Sequence, residues 1–125
     1  MKTIISTADA PAAIGPYSQA VEAGGFIFIS GQLPVDPATG NMEAADTALQ
    51  TSAVIRNIEA ILKSRGLSLD NVIKTTVFMT DLGEFSKINE VYARFFAADP
   101  PARATVEVKA LPKAALVEIE AIAIR

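Results

Sequence analysis

The chain contains no histidine, no cysteine and no tryptophan. The first two absences remove a Ser-His-Asp triad, a Cys-His pair, every disulfide and the thiolate or imidazole ligands of an ordinary zinc site. Acid–base work must then fall to Glu, Asp, Tyr, Lys or a backbone group. A dense run of Lys or Arg is missing as well. Eleven basic residues face 14 acidic ones, giving a formal net charge of −3 and a pI near 4.9, so nucleic acid is not an expected partner. No apolar run reaches the ~18 residues of a membrane span, and the opening "MKTIISTADAPAAIG" has one Lys and no signal-peptide core. A soluble, cytoplasmic protein with no membrane partner is expected.

What is present fits one domain over residues 1–125. Half of the residues are apolar, 20% are charged and the mean hydropathy is +0.33. That leaves apolar surface for a second copy to cover, and self-association is the simplest expectation.

The pattern along the chain alternates strand and helix signals. Thr3-Ile4-Ile5 is a short apolar start, followed by the irregular "APAAIGPYSQA" with two prolines and Gly15, ending near Tyr17. "SQAVEAGGFIFISGQ" predicts a hairpin about Gly24-Gly25, and Phe26 to Ile29 is too uniformly apolar for a half-exposed strand. "LPVDPATGNM" is turn-rich. From Asp46 to Arg65, Thr47, Thr51, Val54, Ile58, Ile61 and Leu62 share one helical face, with Gly66 as the stop. Asn71 to Thr80 is a β-branched strand. Asp81 to Glu84 resembles a capping box opening a second helix, with Phe85, Ile88, Tyr92, Phe95 and Phe96 on one side and Pro100-Pro101 ending it. Ala104 to Val108 and Leu116 to Ile124 are strands separated by a turn at Leu111-Pro112-Lys113. The order is β-ββ-α-β-α-ββ: an α+β domain whose two helices pack on one face of a single sheet.

Several residues on this frame carry chemistry. Arg103 follows two prolines and enters a strand, so its backbone is fixed on both sides. A planar, permanently charged fork suits bidentate recognition of a carboxylate; a plain surface arginine or a structural ion pair is the alternative. Glu118 and Glu120 share one face of the last strand, about 7 Å apart. Burial of either raises its pKa toward the range of a general base, while a solvated edge or a basic partner leaves both inert. Tyr17 is placed either to wall a pocket or to pack. Gly31, after Ser30, permits close approach of a ligand to the backbone. Phe85 and Asn89 lie one helical turn apart and offer a ring and an amide to the same space.

The segments "APAAIGPYSQAV", "ISGQLPVDPATG", "VIKTTVFMTDL", "INEVYARFF", "PPARATVEVKALPK" and "VEIEAIAIR" resemble, in that order, the Rid family, also called YjgF, and its enamine/imine deaminase branch. The resemblance implies a chorismate-mutase-like fold and a homotrimer with active sites between subunits. It also implies hydrolysis of reactive 2-imino acids and their enamine tautomers, such as 2-iminopropanoate and 2-iminobutanoate, to 2-oxo acids and ammonia, without metal or organic cofactor. It puts the carboxylate-gripping arginine on Arg103 and the water-activating acid on Glu118 rather than Glu120. Tyr17, Ser30, Gly31, Phe85, Asn89 and Thr105 match pocket positions. Where many relatives carry a cysteine, this chain has Thr105. A non-catalytic trimer that binds small carboxylates and a translation-inhibiting ribonuclease stand as the alternatives.

Overall fold

The computed structural model describes residues 1–125. It contains the expected order of elements: β1 (Thr3–Ile5), β2 (Ala20–Ala23), β3 (Phe26–Gln32), α1 (Thr47–Lys63), β4 (Val72–Met79), α2 (Phe85–Phe95), β5 (Ala102–Glu107) and β6 (Val117–Ile124). All six strands form one sheet in the order β1-β2-β3-β6-β4-β5. Only β4 and β5 run parallel, as expected for strands joined by a helical crossover. Strand β6 is the centre of the sheet, antiparallel to both β3 and β4.

Helix α1 forms because its apolar positions recur every three to four residues and both ends are capped. Asp46 accepts the amide of Leu49 at 2.9 Å. Past the other end, Gly66 takes φ +72° and Leu67 donates back to the Leu62 carbonyl, a Schellman-type stop. All six residues of the predicted face are buried, joined by Ile55, Gln50 and Asn57. They pack on the alternate residues of the sheet that point their way: Ile27 and Ile29, Val77 and Met79, and Val117, Ile119, Ala121 and Ala123, all at most 3% exposed. No helix is long and apolar enough to cross a membrane.

Three local expectations are corrected. Phe26 and Phe28, predicted to be buried with their neighbours, are 38% and 47% exposed in the single chain. Strand alternation turns them to the sheet face that carries no helix, where Ile122 and Ile124 also lie. On α2, Phe85 keeps the predicted side with Ile88 and Tyr92 but stands 39% exposed at the first helical residue, and Val91, outside the predicted set, is buried with the other two. The helix stops at Phe95, before the prolines, and Asp81 caps a separate 3-10 turn (Leu82–Glu84) by accepting the amide of Gly83 at 2.8 Å.

Candidate active site

Strand register decides which way each candidate side chain points. Arg103 on β5 lies beside Thr75 on β4, while Glu118 on β6 lies beside Phe78. Cross-strand neighbours share a face and residues an odd number apart do not. Thr75 is buried under α2, so Arg103 belongs to the helix-bearing face and Glu118 to the open one. One protomer therefore presents two candidate clusters, on opposite sides of its sheet.

The first cluster gathers around Arg103 on the edge strand. Its guanidinium carbon sits 4.8 Å from the ring centre of Tyr92 and 5.5 Å from that of Phe85, both within cation–π range. Tyr92 is itself fixed: its hydroxyl is 2.7 Å from that of Thr75, and its ring lies 4.6 Å from Phe96. Burial pushes the Tyr92 phenol up, against the opposing pull of the Thr75 hydrogen bond and the Arg103 charge, so it stays a neutral hydroxyl. Asn89 lies between Phe85 and Tyr92 on the same helical stripe and is half-buried. No carboxylate lies within ion-pair distance of Arg103, which also donates no side-chain hydrogen bond. No ion pair within the protomer engages it, and the donor edge of the fork remains available for a planar anion. Two residues further along β5, the hydroxyl of Thr105 is buried without a partner.

The second cluster is built on an irregularity. Ile29 pairs with Ala121 and Gln32 with Ile119, so Ser30 and Gly31 together oppose Glu120 alone. This bulge brings the backbone of Gly31 against the Glu118 carboxylate. A Cβ at position 31 would overlap its Oε2 and lie 2.8 Å from its Cδ, so any other residue here would displace the carboxylate from this position. Glu118 is half-buried, and desolvation, followed by the neighbouring Glu120 charge, raises its pKa. Glu120 is exposed. The Ser30 hydroxyl is committed to the Ser18 carbonyl at 2.7 Å, and its amide to the Gln19 carbonyl at 3.0 Å. Ser30 therefore holds the loop rather than offering a free hydroxyl. Tyr17, 52% exposed, shares with Gly31 a cavity of about 220 Å³.

The predicted residues thus separate into Arg103, Thr105, Phe85 and Asn89 on one side and Glu118, Gly31, Ser30 and Tyr17 on the other. Sequence reasoning missed the part played by Tyr92, assigned only to the core. Its spacing of seven from Phe85 was the available signal, since seven residues return to the same helical face. No three or more acidic side chains cluster as metal ligands would.

The family model described as Endoribonuclease L-PSP matches residues 7–125. A RutC family protein of Pyrococcus horikoshii is 54% identical over 123 residues, 98% of each chain. The 2-iminobutanoate/2-iminopropanoate deaminase of Bos taurus is 50% identical over 125 residues, all of this chain and 91% of its own. Among solved structures, E. coli TdcF with bound serine superimposes at a TM-score of 0.94 with 49% identity, covering 98% of both chains.

Proposed function

Because the chain belongs to the Endoribonuclease L-PSP family, also called YjgF or Rid, we propose that it hydrolyses 2-imino acids and their enamine tautomers to 2-oxo acids and ammonia. The carrying observation is the unpaired guanidinium of Arg103 laid over two rings. Since Arg103 and Glu118 occupy opposite faces of one sheet, the active site takes Arg103 from one protomer and Glu118 from its neighbour in a homotrimer. The exposed apolar face of Phe26, Phe28 and Ile124 gives those protomers a reason to associate.

The chemistry then follows from electrophilicity. A protonated imine accepts water at C2 readily, so the protein must chiefly hold the parts together. Arg103 takes the substrate carboxylate through two parallel N–H donors. Glu118, its basicity raised by burial, removes a proton from the attacking water as the C–O bond forms. It then returns that proton to the nitrogen and takes up the remaining hydroxyl proton as the C=O bond forms and the C–N bond breaks, so one water and one protonated imine leave as one 2-oxo acid and one ammonia, with the last proton passing to solvent. Gly31 gives Glu118 its place, and Tyr17 walls the cleft.

A shared site makes a specific demand on mixed trimers. Arg103→Ala and Glu118→Gln proteins should each fail to accelerate decay of 2-aminoacrylate generated in situ by a dehydratase. Co-refolded in equal amounts they should recover about a quarter of wild-type activity by random assortment, and no recovery would refute the shared site. Small-carboxylate binding without turnover is the second reading, favoured by the relative with bound serine; ligand binding with unchanged imine decay would establish it. With a net charge of −3 and no basic stripe, an RNA backbone finds little to hold it.

A further inference from the structure

If Arg103 of one protomer holds the carboxylate and Glu118 of the next serves C2, the substrate's side chain still needs a place. The cavity of about 220 Å³ is bordered by Tyr17 and by Gly31, the residue against which Glu118 packs. An apolar cavity of ~150 Å³ already admits benzene, so this one exceeds what a methyl or ethyl group requires. Its walls include Ile14, Leu33 and Val35, and its only charged side chains are Asp36 and Lys113.

Those two charges do not neutralise each other, for no Asp36–Lys113 ion pair forms within 4.0 Å. One Asp36 oxygen accepts the amide of Ala38 at 2.8 Å and the other has no partner. Lys113 is held unusually: it and Ala114 both have positive φ, 57° and 56°, a conformation that costs free energy for L residues and persists only where the surroundings impose it. Here Pro112 precedes the pair, Ala115 is 1% exposed and donates to the Pro112 carbonyl, and Leu116 donates to the Gln50 side chain at 2.8 Å. Such backbone outliers cluster at ligand sites.

We propose that this cavity is the subsite for the substrate's side chain, and that Lys113 and Asp36 select 2-imino acids ending in a carboxamide. The assignment rests on the deaminase reading above. A carboxamide offers its oxygen to the ammonium and its NH₂ to the carboxylate, with its methylenes against the apolar wall. Both charges are exposed at the rim of the cavity: a terminal carboxylate meets the Asp36 charge, a terminal amine meets Lys113, and a terminal methyl offers neither group a partner in place of water.

Stable 2-oxo acids of one chain length, ending in carboxamide, carboxylate or methyl, test this by calorimetry on the intact protein, with 2-oxobutanoate as reference. The carboxamide should bind about fivefold or more tightly than the methyl compound, the worth of one net hydrogen bond. Lys113→Met should erase that ratio, and Asp36→Asn should shift preference toward the carboxylate. Ratios identical in wild type and both variants, with 2-oxobutanoate still bound, would overturn the subsite alone. No binding of any 2-oxo acid, 2-oxobutanoate included, would overturn the deaminase reading and the subsite with it.

Discussion

Tyr92 carries two separable contacts, and two substitutions should pull them apart. Its ring lies 4.8 Å beneath the Arg103 guanidinium, and its hydroxyl meets Thr75 at 2.7 Å. Tyr92→Phe keeps the ring and strands the hydroxyl of Thr75, which is 1% exposed. A buried hydroxyl left unpaired costs about 1–3 kcal/mol, and roughly 4 °C of melting temperature accompanies each kcal/mol in a domain of this size. The Phe variant should therefore melt roughly 4–12 °C lower yet keep its KM for a 2-imino acid. Tyr92→Leu removes the ring as well. A cation–π contact is worth about 0.5–2 kcal/mol, so KM should rise about two- to thirtyfold through a fork no longer held in plane. The assay is steady-state hydrolysis of an enzymatically generated imine, with KM and kcat separated, on proteins shown by circular dichroism to be folded. A folded Leu variant with wild-type KM, or a Phe variant whose KM rises as much, would refute the claim that the ring positions Arg103.

Three further expectations concern the Glu118 cluster and the periphery. Gly31→Ala should fold but lose about a hundredfold in kcat/KM, the scale of an ångström's misplacement, because the new methyl displaces the Glu118 carboxylate; an active variant would show that the acid need not sit there. With Glu118 as the proposed base and its pKa raised, kcat/KM should climb with pH through an ionisation above 4.5. Glu120→Gln, which removes the second cause of that rise, should move the limb to lower pH; an inactive Glu120→Gln protein beside an active Glu118→Gln one would mean the wrong acid was assigned. Glu22 is held at a pKa of about 2, first by Arg125 and then by Arg65, against desolvation. Its folded pKa lies below the unfolded one, so its stabilisation is complete above pH 4.5 and fades as pH falls toward 2. Melting temperatures across that range should fall less steeply for Glu22→Gln than for wild type.

The eight elements were legible because each leaves a local mark. The hairpin shows in Gly24 and Gly25, which take φ of 59° and 82°, and α1 shows in its spacing and its Gly66 stop. The family resemblance extended the same local signals to fold and candidate residues. Sequence alone did not tell which face of the sheet each candidate occupies. Arg103 and Glu118 point apart because β5 pairs with β4 in one register and β6 with β4 in another, and registers are fixed by packing between segments distant in the chain. For the same reason Phe28 looked like core. Its neighbours Ile27 and Ile29 meet α1, whereas its own face carries no element of this chain. Tyr92 kept its buried place as expected, but its second task depended on a strand that arrives later in the chain.

The position of β6 between β3 and β4 has a consequence for how the molecule comes into being. Everything translated before Val117 makes two unconnected ribbons, a three-stranded meander and a parallel pair, each with a bare hydrogen-bonding margin awaiting the same missing piece. Until that wedge arrives, either margin is open to a nascent copy of the same polypeptide. Slow synthesis of the last stretch should thus promote entanglement between chains, and a free peptide of residues 117–125 supplied to a shortened protein should suppress it.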